Sequence, residues 1–184
     1  MRHVVLVAPH FLRNTLRYIN AFVGLEGARV SLVSEDPETG LPPALRERIA
    51  GHYAVGSCLD GGELARACRA ITKGVGRIDR LNGVLEQLQL PVAEARDAVG
   101  IEGTGLAVAR SFRDKDRMKE VLRRAGVPVA KSVLVTSPDE LRAFARAVGY
   151  PIVVKPPAGL GAKATFRIAS EEQLHGMLAV VELR

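Results

Sequence analysis

A continuous apolar run at residues 3–8, rich in β-branched valines, does most to restrict what this chain can fold into. It reads as a strand. Residues 14–25 then place Leu16, Ile19, Phe22 and Val23 at helical spacing, and residues 29–34 alternate as a second strand. Strand, helix, strand in that order predicts a mainly parallel sheet with helices on both faces. Pro42 and Pro43 open a short helix, residues 52–55 suit a third strand, and Gly61-Gly62 leads into a helix over residues 63–73 with Leu64, Ala67, Cys68 and Ile71 inward. A last helical stretch is expected over residues 81–98, interrupted near Pro91. The first domain is expected to span residues 1–108.

Composition excludes several classes. The chain has 184 residues, 47% of them hydrophobic and 25% charged, as in ordinary globular protein. No stretch approaches the ~20 uncharged apolar residues of a membrane span, and the amino terminus enters a strand rather than a signal-peptide pattern, so no membrane partner and a cytoplasmic location are expected. Cys58 and Cys68 have neither the spacing nor the companions of a metal or redox motif and are expected as reduced thiols in or near the core. The net charge of +6 is scattered over helix faces and not gathered with aromatics into one run, which argues against a nucleic-acid partner.

The second half is more sharply punctuated. A helix is expected over residues 114–125, with Met118, Val121 and Leu122 on one face and a stop at Gly126 before Pro128. Residues 131–135 suit a strand. Ser137-Pro138-Asp139-Glu140 is a capping box with proline at the first helical position, and its helix ends at Gly149. Residues 152–155 and 163–169 suit strands around a loop, and Ser170-Glu171-Glu172-Gln173 is a second capping box.

The loop between those strands is the richest in chemistry. Lys155 ends a buried apolar strand, and Pro156-Pro157-Ala158-Gly159-Leu160-Gly161-Ala162-Lys163 follows. A cation and free backbone amides at one sheet edge suit a polyphosphate, since glycines let the backbone approach an anion closely. A solvated hairpin with a snorkelling lysine suits the same string. It is not a Walker loop, because it joins two strands instead of opening a helix.

Asp114-Lys115 at a helix start lies forty residues ahead of Lys155, followed by Ala125-Gly126-Val127-Pro128, then Pro151 to Pro156 and the glycine-rich loop. This order resembles the ATP-grasp superfamily, and within it the biotin carboxylase and carbamoyl-phosphate synthase branch. The resemblance covers residues 112–178. It implies an α/β chain with a Rossmann-like pre-ATP-grasp domain at residues 1–108 and the small α+β first lobe of an ATP-grasp domain at residues 109–184. It further implies that Lys115 and Lys155 contact ATP, Lys155 near the α-phosphate and adenine, while Gly159, Leu160, Gly161 and Ala162 cover the β- and γ-phosphates. Lys163 either reaches phosphate or faces solvent, and Lys119 reads as a solvated helix-face residue. The family's Mg²⁺ ligands and adenine hinge are expected beyond residue 184, so no metal ligand is assigned here. The resemblance thus implies a C-terminally incomplete portion, inactive alone, of a ligase that uses ATP to convert a small-molecule carboxylate or bicarbonate to an acyl phosphate for attack by an amine or other nucleophile. A non-catalytic nucleotide-binding or scaffold module is the alternative.

In the first domain, His10 and Asn14 follow the first strand at the edge where open α/β sheets bind ligands, and Thr104 lies in a Gly-Thr-Gly turn; these are the candidate substrate contacts. Each has a structural counterpart reading, as a locally bonded histidine or a linker turn. Glu35, without a glycine fingerprint nearby, reads as a loop carboxylate.

Overall fold

A computed structural model describes residues 1–157 and 164–181, and the chain divides into two compact units, Met1–Arg110 and Ser111–Arg184. The first unit is built on β1 (Arg2–Val7), β2 (Ala28–Ser34), β3 (Gly51–Ala54) and β4 (Arg80–Gly83). They form one sheet in the order β3-β2-β1-β4, with every neighbouring pair parallel. Helices α1 (Arg13–Val23), α2 (Pro43–Arg46), α3 (Gly61–Gly74) and α4 (Gln89–Val99) connect and cover it, and α5 (Leu106–Arg113) follows.

The alternation of β1 assigns these helices to faces. Val5 and Val7 pack with Val33 against Leu64, Cys68 and Ile71 of α3 and Val92 and Ala95 of α4. Leu6 and Ala8 point the other way and join Val30 and Leu32 against Ile19 of α1 and Leu41 and Leu45. Period-two side-chain direction makes one strand serve two cores. At the amino end of the sheet His3 is buried; its Nδ1 faces the Gly76 and Arg77 carbonyls, both at 3.1 Å, and its Nε2 lies 2.8 Å from Ser31 Oγ. Carbonyls only accept, so Nδ1 carries the proton and Nε2 accepts from the serine hydroxyl.

Residues 81–98 do not form the single interrupted helix expected from the sequence. Arg80–Gly83 is β4, paired with β1 from Val4↔Arg80 to Val7↔Gly83, and a 3-10 turn at Glu86–Leu88 leads into α4. Pro91 is the third residue of α4, where a backbone N–H has no intrahelical acceptor and its loss costs nothing. Gly83 ends β4 under Leu88, whose Cβ would lie 2.8 Å from any Cβ at this position. A close approach of helix to strand end therefore requires glycine there.

The second unit has a smaller core. After α6 (Lys115–Arg124) come α7 (Pro138–Val148), β5 (Ile152–Val154), β6 (Phe166–Ile168) and α8 (Glu171–Leu178). β5 and β6 pair antiparallel, and Ile152 and Ile168 pack with Leu141 and Ala145 of α7 and Leu174 and Met177 of α8. Both capping boxes form: Ser137 Oγ accepts from Glu140 N and Ser170 Oγ from Gln173 N, each at 3.3 Å. The returning Glu140 and Gln173 side chains reach one residue further out than the standard box, to Thr136 N and Ala169 N. α6 ends in a Schellman turn, with Val127 N bonded to Leu122 O and Gly126 N to Arg123 O, and Gly126 at φ +72°. The strand expected over residues 131–135 is not there: the segment joins no ladder among the described residues and leaves Val133 and Leu134 exposed. Its apolar alternation suits a strand, but side chains of α6 hold it instead.

Leu81 is fully buried in β4. Leu81→Ala should therefore cost about 2–5 kcal/mol of unfolding free energy in urea titration; a loss below about 1 kcal/mol would contradict its core position.

Candidate functional site

The amino end of α6 is set by Asp114, whose Oδ1 accepts from Asp116 N at 2.9 Å and Arg117 N at 3.1 Å. That cap makes Lys115 the first helical residue. Lys115 donates to the Pro157 carbonyl twice, from its backbone N and from its Nζ, each at 3.2 Å. Pro157 stands two residues beyond Lys155, which is exposed just past β5. The structure therefore brings the helix start bearing Lys115 onto the strand end bearing Lys155.

Two further cations belong to the same neighbourhood. Lys119, expected as a solvated face residue, is half-buried and donates to Ala130 O at 3.4 Å. Arg123 bonds Ser132 at both its carbonyl, 3.5 Å, and its hydroxyl, 2.6 Å. Desolvation holds the Lys119 ammonium below the ordinary lysine pKa, and the charges of Lys155 and Arg123 push the same way against Asp116. Among the described residues no carboxylate forms an ion pair with Lys115, Lys119, Arg123 or Lys155. The signal available in the sequence was the i, i+4, i+8 spacing of Lys115, Lys119 and Arg123. Unpaired cations gathered this way can take an anionic ligand.

Gly159, Leu160, Gly161, Ala162 and Lys163 lie outside the described residues. Glu171 and Glu172 occupy the first turn of α8, where the helix dipole favours acids. Among the described residues no group of three or more His, Cys, Asp or Glu side chains is placed to hold a metal ion, and none is assigned to the Mg²⁺ that the resemblance implies.

In the first unit, β1 has β2 on one side and β4 on the other, so the direction of winding reverses between β1 and β4. The polar cluster lies at the carboxyl ends of β1, β2 and β3. His10 Nδ1 is 3.0 Å from Asp36 Oδ1 and its Nε2 3.6 Å from Glu35 Oε2. Asp36 Oδ2 accepts from Phe11 N at 2.7 Å, and Glu35 Oε1 from Cys58 N at 2.8 Å. Ser34 Oγ bonds Asp36 O at 2.5 Å and lies 2.7 Å from His52 Nε2. Glu35 is thus a loop carboxylate tying two loops together. Asn14 is exposed in the first turn of α1. Thr104 is exposed, and its carbonyl accepts from Arg96, which also bonds Leu81 O. Cys58 and Cys68 are free and buried, with desolvation pushing their thiols up to about 12 and about 11. Neither has thiolate character near neutral pH.

Residues 114–181 match the family described as carbamoyl-phosphate synthase L chain, ATP binding domain. The chain is 32% identical over 83 residues to an alanine–anticapsin ligase of Bacillus subtilis, covering 45% of this chain and 18% of that protein. It is 35% identical over 96 residues to an L-arginine-specific L-amino acid ligase of the same organism, covering 52% of this chain and 23% of the relative. In structure it resembles the biotin carboxylase domain of Hydrogenobacter thermophilus 2-oxoglutarate carboxylase, solved with MgADP, ADP and bicarbonate, with a TM-score of 0.68 and 24% identity over 94% of this chain and 39% of that one. The chain thus spans less than a quarter of these two curated relatives. No helix among the described residues is long and apolar enough to cross a membrane.

His10 and His52 should titrate on opposite sides of the ordinary histidine value. The Asp36 hydrogen bond and the charges of Asp36 and Glu35 raise His10 above 6.5, whereas burial lowers His52 below it. A raised folded value means that the stability contributed by His10⁺ is fully present below the unfolded pKa and is lost as pH rises through the folded one. Following the imidazole Cε1 protons by NMR against pH should show this order, and Asp36→Asn should bring the His10 midpoint down while leaving that of His52 below 6.5.

Proposed function

From a chain that belongs to the ATP-grasp superfamily and spans less than a quarter of two of its curated relatives, we propose that the whole protein is an ATP-dependent ligase. In the proposed reaction an oxygen of a small-molecule carboxylate, or of bicarbonate, attacks the γ-phosphorus of ATP. The bond to the bridging oxygen breaks and ADP leaves. An amine or other nucleophile then attacks the acyl carbon, and inorganic phosphate departs with the electron pair of the broken C–O bond. Amino acids, the class named for both ligase relatives, and bicarbonate are the first substrates to try.

The observation that carries this reading is the pair of hydrogen bonds from Lys115 N and Nζ to Pro157 O, which fastens the capped start of α6 to the chain just past Lys155. Phosphoryl transfer is catalysed chiefly by positioning and charge stabilisation, so two cations carried on chain segments bonded to each other are what the nucleotide needs from this unit. In this reading Lys115 and Lys155 bind ATP, Lys155 towards the α-phosphate and adenine. Gly159, Leu160, Gly161 and Ala162, with Lys163 after them, supply amides and charge over the β- and γ-phosphates. When bound, Mg²⁺ would neutralise phosphate charge, and no described residue is assigned to it. The Met1–Arg110 unit serves as the pre-ATP-grasp domain, with His10, Asn14 and Thr104 as its substrate-side candidates.

The experiment is ADP release by the whole protein with amino acids or bicarbonate and an amine. Release that depends on the carboxylate supports the ligase; nucleotide binding without turnover on any of them supports a nucleotide-binding module. Lys115→Ala and Lys155→Ala should each weaken ATP binding by roughly tenfold or more, the loss of one charge-assisted hydrogen-bond partner. Arg142→Ala, which removes a cation of α7 paired with Asp139, should leave ATP affinity near wild type in calorimetric titration.

A further inference from the structure

Lys119 is not accounted for by the contacts proposed above. An i, i+4, i+8 run of cations is commonly a solvated face whose side chains hang free or pair with acids. Here Lys115, Lys119 and Arg123 are each drawn onto a backbone carbonyl of another segment, at Pro157, Ala130 and Ser132. The acids nearby in sequence are engaged elsewhere: Glu120 pairs with Arg124, and Asp114 caps the helix. Asp116 counters Lys119 only in part, since burial, Lys155 and Arg123 all disfavour its charge. An ammonium held in place among like charges raises the free energy of the empty site, and an arriving anion relieves it in proportion to the anion's own charge.

We propose that Lys119, one helical turn from Lys115 on the cation-bearing face of α6, is a specificity-determining residue of the nucleotide site, favouring the triphosphate over nucleotides with fewer phosphates. This rests on the reading of Lys115 and Lys155 as nucleotide contacts. Lys119 donates to the Ala130 carbonyl, and Arg123, one turn on, is tied to Ser132. AMP brings one phosphate to this row of cations, whereas a triphosphate brings more negative charge to it and gains more from Lys119.

The test is calorimetric titration of ATP, ADP and AMP into the full chain as wild type, Lys119→Gln, Lys119→Met and Lys119→Arg. Glutamine removes the charge yet keeps a donor for Ala130 O, which separates the field from the structural tie. Lys119→Gln should weaken ATP by roughly threefold to tenfold and AMP by less than about twofold, so that the ATP-to-AMP preference and the salt dependence of ATP binding both fall. Lys119→Arg should restore the preference, and Lys119→Met should shift it as glutamine does. Equal losses for ATP and AMP in a folded Lys119→Gln, or an unchanged preference while Lys155→Ala loses ATP, would overturn the proposal and leave the nucleotide reading standing. Wild type that binds neither ATP nor AMP would instead remove the nucleotide reading, and this proposal with it.

Discussion

Burial of β1 on both faces is the constraint from which the first unit follows. Val4 to Val7 are all buried, and alternate side chains must be covered by different layers. Each such side chain contributes about 1.5–3 kcal/mol only if its layer is present, so α1 is required on one face and α3 with α4 on the other. Parallel neighbours then carry the turns after β1, β2 and β3 to one edge. His10, Asp36, Glu35 and Cys58 meet there because those turns have no other place to go. The hydrogen bonds among them come second, fixing loops whose positions the sheet has already chosen.

The second unit works the other way. Its apolar core joins α7, α8, β5 and β6, and α6 contributes no buried residue to it. What fastens α6 among the described residues is polar: Lys115 to Pro157, Lys119 to Ala130, Arg123 to Ser132. Bonds from charged donors are stronger than neutral ones, which lets them hold a helix whose apolar residues, Met118 and Leu122, are only partly buried. Among the described residues no carboxylate pairs with these cations, and Asp116 offsets the charge of Lys119 only in part. A hydrophobic seam would have anchored α6 more simply, but it would have displaced the cations from the site.

The elements legible in the sequence were those with a local cause. Asp114, Ser137 and Ser170 cap helices because short polar side chains reach backbone N–H groups three residues on, and Gly126 and Gly149 stop helices because they accept positive φ. The α/β class and the two-faced sheet follow from the alternation of β1 and β2. What was missed depended on partners distant in the chain. Arg80–Gly83 is too short for its pattern to be read without knowing that β1 lies beside it, and residues 131–135 carry a strand pattern that lacks a strand partner. Lys119 was legible as a helical position but not as a half-buried one, because Ala130 and Lys155 come near it only after the chain turns back. Asp36 was missed for the same reason: nothing in its local sequence points to His10.

The Schellman turn after α6 explains why side chains can replace a ladder there. The chain turns at Gly126 and Val127, and residues 130–132 then meet α6 in the helix's own direction, Ala130 at Lys119 and Ser132 at Arg123. Four residues of helix rise about 6 Å, and two residues of nearly straight chain span up to about 7 Å. The two spacings are commensurate, so successive cations on one helix face meet carbonyls two residues apart on the returning segment. The ordering of residues 130–132 is thus specified by the positions of Lys119 and Arg123, and the cations are immobilised by the same contacts. Preorganised charge is what an anion site requires, since a lysine that must be collected from solvent loses side-chain entropy on every binding event. In α6 that entropy is already lost on folding.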